Sequence, residues 1–218
     1  MPKTKLVEAK KEKLAAPVAA PRLAISAEDI EIPRLNVIQG SSEIDGDEGA
    51  LVINRTHTIM PTGGTISVIP ITAVKGWAEN VPFGSNEVAR VAYTADEKQA
   101  IAEDSEFGTI EFADVTLLIP EPEDIGEDAA DAFPFPIGET SYAMGKIHVR
   151  KAAYRNTFKR LGLFQAMNPD APLCAKHWKF QADQATANRV SWYIPQMTVT
   201  KVDTDPQVVE FVSRIIPA

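Results

Sequence analysis

The feature that most constrains this chain is a succession of short, β-branched runs bounded by turn residues, without regular alternation of strand and helix. Pro61-Thr62-Gly63-Gly64 is a strong turn signal, and Thr65 to Val74 behind it is the clearest strand of the first half. Ile30 to Gln39 is extended and interrupted by Pro33, which suits an edge or a strand start. Ala50 to Asn54 is a short β-branched run. Val88 to Thr94 reads as a strand after a loop at Val81 to Asn86, and Thr109 to Pro120 reads as a strand pair or one long bent strand. Ser141 to Arg150 alternates, with Ile147 and Val149 to one side and Lys146, His148 and Arg150 to the other. Lys176 to Gln181 and Val190 to Val202 complete the set. Helices are few. Asp96 to Glu103 can form one or two turns, and Lys151 to Ala166 is the best candidate, ended by Asn168-Pro169-Asp170. Asp205-Pro206 caps a short C-terminal helix that buries Val208, Phe211, Val212 and Ile215. The pattern predicts a mainly β fold, an antiparallel β-barrel or sandwich, with one mid-to-late helix and a short C-terminal helix. An OB-like barrel belongs to this class.

At 218 residues and 44% hydrophobic content, the chain can bury one sizeable core, which we place in a single β-rich domain over residues 26–218. Residues 1–25 differ. Met1 to Ala20 is mostly Lys, Ala, Glu and Pro without aromatics, so residues 1–25 are expected to form a disordered tail. Residues 121–138 are expected to be the longest loop, holding Glu121, Glu123, Asp124, Glu127, Asp128 and Asp131 before Phe133-Pro134-Phe135-Pro136. The apolar run Leu14 to Leu23 is broken by Pro17 and Pro21 and does not read as a secretory signal. No run reaches the roughly 18 apolar residues of a membrane span. The lone Cys174 cannot form an internal disulfide and reads as a small buried hydrophobe, which suits a reducing, cytoplasmic compartment.

Enzyme templates fail. Gly138 to Lys146 comes nearest to a phosphate-binding loop, but six residues separate its glycines and no Ser or Thr follows the Lys. His57, His148 and His177 are isolated, and no His or Cys pair has zinc-ligand spacing. The acidic runs Glu43 to Gly49 and Glu121 to Asp131 lack calcium-loop spacing and read as solvated loops. We therefore expect no enzyme activity, no metal and no cofactor; a metal-dependent nuclease would need those carboxylates gathered on a rigid sheet.

Charge is distributed unevenly. The net charge is −8, yet residues 21–140 carry six basic and 23 acidic side chains, whereas residues 141–201 carry ten basic and two acidic ones. The two halves can simply neutralise each other. Alternatively, the basic half builds an anion site, and there aromatics are interleaved with cations. Single-strand binders need both, cations for phosphates and aromatic faces for bases. The candidates are Lys146, Arg150, Lys151, Tyr154, Arg155, Lys159, Arg160, Lys176, Trp178, Lys179, Arg189, Trp192 and Tyr193. Lys151, Arg155 and Lys159 would form one helical stripe, which reads equally as an ordinary solvated face. In a strand, Trp178 and Phe180 share a face, which makes core the competing reading for both. Trp192 and Tyr193 are adjacent, so one of them should point away from a one-sided core.

Ile32-Pro33-Arg34-Leu35-Asn36-Val37-Ile38-Gln39-Gly40-Ser41-Ser42, the acidic turn after it, and Ser67-Val68-Ile69-Pro70-Ile71 resemble small proteins of tailed-phage replication and recombination modules. So does the Tyr154 to Leu161 helix followed by a Trp-containing strand. That group includes single-stranded-DNA-binding proteins. The resemblance implies DNA binding in the bacterial host cytoplasm and assigns no individual residue. The chain departs from bacterial single-strand binders in ending on apolar Ile215-Ile216-Pro217-Ala218 where they carry an acidic tip. The expectation is a sequence-tolerant single-stranded-DNA-binding protein, possible as a homo-oligomer. The alternative is a phage virion structural or assembly protein without catalytic activity.

Overall fold

Within Thr109–Pro120, Ala113, Val115, Leu117 and Ile119 alternate onto one face, and all four are fully buried. They form the centre of the core. The structure, a computed structural model, describes residues 31–215 apart from 83, 84, 86 and 188. In chain order it contains strands β1 (Arg34–Val37), β2 (Leu51–Ile53), β3 (His57–Met60), β4 (Thr65–Glu79) and β5 (Val91–Ala92), then helix α1 (Ala95–Asp104). Strands β6 (Thr109–Pro120), β7 (Phe135–Ile137) and β8 (Thr140–Arg150) follow, then helices α2 (Lys151–Asn156) and α3 (Phe158–Met167). Strands β9 (Lys176–Ala187) and β10 (Val190–Asp203) and helix α4 (Pro206–Ile215) complete the chain.

The sheet runs β10-β9-β4-β6-β8-β1-β2-β3, with β5 paired to β4 and β7 to β8. Strands β4, β6 and β8 form an antiparallel meander. Helices α2 and α3 cross over, β9 returns to pair with the first residues of β4, and β10 folds back on β9. The rest of β4 pairs with β6, and the register shifts between Pro70 and Thr72. A bulge there bends the strand, and Pro70 has no N–H to lose from the ladder. One bent strand shared by two neighbours curls the sheet into a partly open barrel of OB-like connectivity. The mainly β barrel expected from the sequence is what the chain forms.

Between β8 and β10 the barrel is not closed by a ladder. Strand β1 lies there, parallel to β8 through Arg34 opposite Lys146 and Leu35 opposite Ile147. Toward β10 a side-chain amide replaces the ladder. Gln39 Nε2 donates to Tyr193 O at 2.9 Å, and Tyr193 N–H donates to Gln39 Oε1 at 2.8 Å. The Tyr193 ring lies on Gly49, where a Cβ would stand 2.4 Å from Tyr193 Cε1.

Two covers lie on the outer face of the barrel. Helix α4 buries Val208 and Val212 against Ile69, Ile71, Leu118, Tyr142 and Cys174. At the other end Phe112 is buried beneath Tyr93, ring edge to face at 5.6 Å. Between the covers Lys146, His148 and Arg150 of β8 stay accessible.

Several local expectations change. The single helix over Lys151 to Ala166 is two, because Thr157 leaves helical geometry at φ −121° and ψ −80° while its hydroxyl donates to Ala153 O at 2.7 Å. The Asp96 to Glu103 turns form a ten-residue helix, started by a capping box of Thr94 and Glu97. The 121–138 segment is less of a loop than expected. It contains a 3-10 turn at Glu127–Ala132 and then β7. Strands β4 and β9 continue past their expected ends, and Val88 to Thr94 yields only the two-residue β5. The tail expected over 1–25 lies outside the described residues, as do 83, 84 and 86 of the Val81 to Asn86 loop. Among the described residues no helix is long and apolar enough to cross a membrane.

Candidate nucleic-acid interface

Alternation along β8 turns Lys146, His148 and Arg150 outward, opposite the buried Ala143, Ile147 and Val149. Because β1 is parallel to β8 and in register, Arg34 stands beside Lys146 on the same side. The chain then turns sharply into α2 at Lys151, whose φ of +54° is left-handed. That conformation costs a residue with a Cβ roughly 1–2 kcal/mol. Across the unpaired seam, β10 contributes Trp192, 38% exposed, and the half-buried Tyr193. The result is two adjoining hollows. The larger, about 530 Å³, lies between β1, the end of β8, the start of α2 and β10, and its polar and aromatic lining includes His148, Arg150, Lys151, Trp192 and Tyr193 with Asn36 and Gln39. The smaller, about 310 Å³, is lined by Arg34, Tyr93, Asp114, Lys146 and His148. Leu35, Asn36 and His148 belong to both, so the hollows form one continuous groove.

The groove is cationic. Among the described residues Arg34, Lys146, Arg150 and Lys151 take part in no ion pair. A single carboxylate lines it, that of Asp114, and it is engaged. His148 Nδ1 lies 2.9 Å from Asp114 Oδ1, and the Tyr93 hydroxyl donates to Asp114 Oδ2 at 3.3 Å. Burial, with the Asp114 charge adding to it, pushes the Tyr93 hydroxyl pKa up, so it stays a donor. The His148 ring lies over Phe112 with centroids 4.7 Å apart. Four cations, a histidine and an open tryptophan offer charge and a stacking surface within one channel. Among the described residues no three His, Cys, Asp or Glu side chains converge as a metal site would require.

The structure gathers some of the expected residues and disperses others. Lys146, Arg150, Lys151, Trp192 and Tyr193 line the groove. Trp178 does not. It is 1% exposed in the core beside the fully buried Phe180, so its ring cannot receive a base. Tyr154 is also buried, stacked on Phe158 at 5.0 Å. Arg160 is committed to structure, donating to Met197 O and Thr198 Oγ1, both at 2.9 Å. Lys176 pairs with Asp203. Arg155 and Lys179 are exposed away from both hollows, and Arg189 sits at the β9–β10 turn with φ +66°. The break at Thr157 disrupts the Lys151, Arg155, Lys159 stripe. Lys151 enters the groove, while Lys159 Nζ lies 5.9 Å from the centroid of the Tyr154 ring.

Arg34, Asn36 and Tyr93 were absent from the expected set. Arg34 stands in an otherwise apolar and acidic stretch, and only the long-range β1–β8 pairing brings it to Lys146. No family model, no curated protein and no solved structure matches this chain.

Proposed function

We propose that this protein binds single-stranded DNA without sequence preference, in the groove between β8, β1 and β10. The observation that carries the proposal is the convergence of four unpaired cations and the open face of Trp192 in one channel. Unpaired cations fit a phosphate backbone, and an exposed indole fits any base, since every base has a π-face. Fold-level likeness adds support. OB barrels bind oligonucleotides over their second and third strands, and here those are β6 and β8, with Lys146, His148 and Arg150 outward. The sequence resemblance to phage replication and recombination proteins points the same way and suggests action in the host cytoplasm. This activity needs no cofactor and no covalent step.

The test is fluorescence anisotropy with a labelled oligo-dT of about 30 nucleotides at about 50 and about 300 mM salt, with duplex competitor. Four phosphates neutralised in the groove would give a salt slope of about −2.8 or steeper, so affinity should fall at least on the order of 100-fold between those salts. Duplex should compete poorly. Absence of binding at the lower salt would overturn the proposal.

A second reading, a phage virion or assembly protein, draws on a different feature. An apolar hollow of about 480 Å³ between α3 and β10 is lined by Leu163, Phe164, Met167 and Val199, of which Leu163 and Met167 are well exposed. Light scattering that finds an oligomer insensitive to oligo-dT would favour it, and a DNA-binding monomer would exclude it.

A further inference from the structure

On the far side of α2 from the groove lies a second cationic–aromatic patch. The ends of β4 and β6 run past the barrel, and Trp77 pairs across the ladder with Glu111. Lys75 Nζ bonds Glu111 Oε1 at 2.5 Å and lies 5.0 Å from the Trp77 ring centroid. Lys98 reaches over from α1, its Nζ 5.3 Å from the same ring. Lys159 arrives from α3 and lies over Tyr154, whose buried ring contacts the same patch. Three lysines from three elements thus surround one carboxylate. The Glu111 carboxyl is held below its ordinary range, first by the Lys75 hydrogen bond and then by the fields of Lys159 and Lys98.

The charges do not balance. Lys75 neutralises Glu111, which leaves Lys98 and Lys159 without a carboxylate partner among the described residues. A cation over a partly exposed ring such as Trp77 is worth only about 0.5–1 kcal/mol, so a phosphate can draw the Lys98 ammonium away. When Lys98 moves, the part of the half-buried Trp77 ring it covers becomes available to a base. The chain itself leads from the groove to the patch. Lys151 lines the groove at the start of α2, Arg155 is exposed further along, and Lys159 follows on α3. Eight residue steps separate Lys151 from Lys159 across the break at Thr157, so the two lie at most about 28 Å apart, which a strand of about 16 nucleotides spans at roughly 3.4 Å per phosphate.

We infer that Trp77, Lys98 and Lys159 form a second contact for the same DNA strand, which leaves the groove, crosses α2 and ends on this patch. This rests on the proposed single-strand binding and adds the direction and length of the footprint. Short strands then occupy the groove alone, and longer ones engage both sites.

The test compares oligo-dT of about 6 and about 16 nucleotides, lengths bracketing the roughly 4–16 nucleotides that one OB fold covers. Wild type should bind the longer strand at least about tenfold more tightly, and Lys98→Gln/Lys159→Gln should lose that gain while changing short-strand affinity about twofold or less. Lysine acetylation footprinting of the unmutated protein supplies an independent readout: the longer strand should protect Lys98 and Lys159, and the shorter one should not. Wild type that binds neither strand overturns the parent reading. Wild type that binds both with a length gain surviving the double substitution, or with Lys98 and Lys159 unprotected, overturns this inference alone.

Discussion

Strands β9 and β10 are neighbours, and each carries a tryptophan, yet the two indoles have opposite surroundings. Trp178 lies where β9 is flanked on both sides, opposite Val68 of β4 and Val199 of β10. Phe164 of α3 covers it edge-on at 5.6 Å. Trp192 lies opposite Ala185, beyond the last residue of β9 that pairs with β4, and among the described residues no strand is hydrogen-bonded to the seam side of β10. Neighbouring strands on both sides and a helix above bury the first ring. Trp192, on the opposite face of the ladder from Val199 and beside the open seam, stays 38% exposed. Residue type is the same, and position in the sheet decides between core and binding surface.

The largest effect that can break this contrast is on stability. Trp178→Ala should cost about 3–5 kcal/mol in chemical denaturation, as expected for truncating a core aromatic, while the molecules still folded bind oligo-dT normally. A loss below about 1 kcal/mol would mean the ring is not core. Trp192→Ala should do the reverse. Losing one base-stacking platform is worth about 1–3 kcal/mol, or roughly 5- to 150-fold in affinity, with little change in denaturation midpoint.

A smaller effect separates the two regions by backbone strain. Lys151, at the rim of the groove, has φ +54°. Lys151→Gly and Lys151→Ala remove the same charge, but glycine relieves the left-handed conformation and alanine does not. The glycine variant should be about 1 kcal/mol more stable than the alanine variant, with equal DNA affinity. Equal stabilities would show that the turn relaxes.

The smallest concerns His177, beside Trp178. Burial holds its imidazole pKa below the ordinary value, and its Nδ1 lies 2.7 Å from Ser67 Oγ. The unfolded chain takes up this proton near pH 6.5 and the folded chain only at lower pH, so stability is full above that value and declines as pH falls through it. His177→Gln should flatten that limb of a pH–stability profile. An unchanged profile would mean that other groups carry it.

Much of this architecture is legible in local pattern. Thr109 to Pro120, legible as a strand pair or one long strand, is one strand over that span, and Asp205-Pro206 begins the helix it announces. Strand β4 runs on to Glu79 only because β6 is there to pair with it as far as Thr109. The groove is legible in part. The outward Lys146 and Arg150 follow from period two, whereas Arg34 depends on a parallel pairing across more than 100 residues. Trp77, Lys75 and Lys98 belong to the acidic half of the chain, where segment charge conceals them. Trp178 misleads for the converse reason: its neighbours His177 and Lys179 leave the strand on the other side.

The most direct test of the central claim is the salt dependence of affinity for an oligo-dT of about 6 nucleotides, which occupies the groove alone, for wild type beside Arg150→Gln/Lys151→Gln. Four phosphate contacts give a slope of log affinity against log salt near −2.8, and removing two should bring it to about −1.4 with the fold intact. Identical slopes, or no binding at low salt, would contradict a groove that works by gathering these cations.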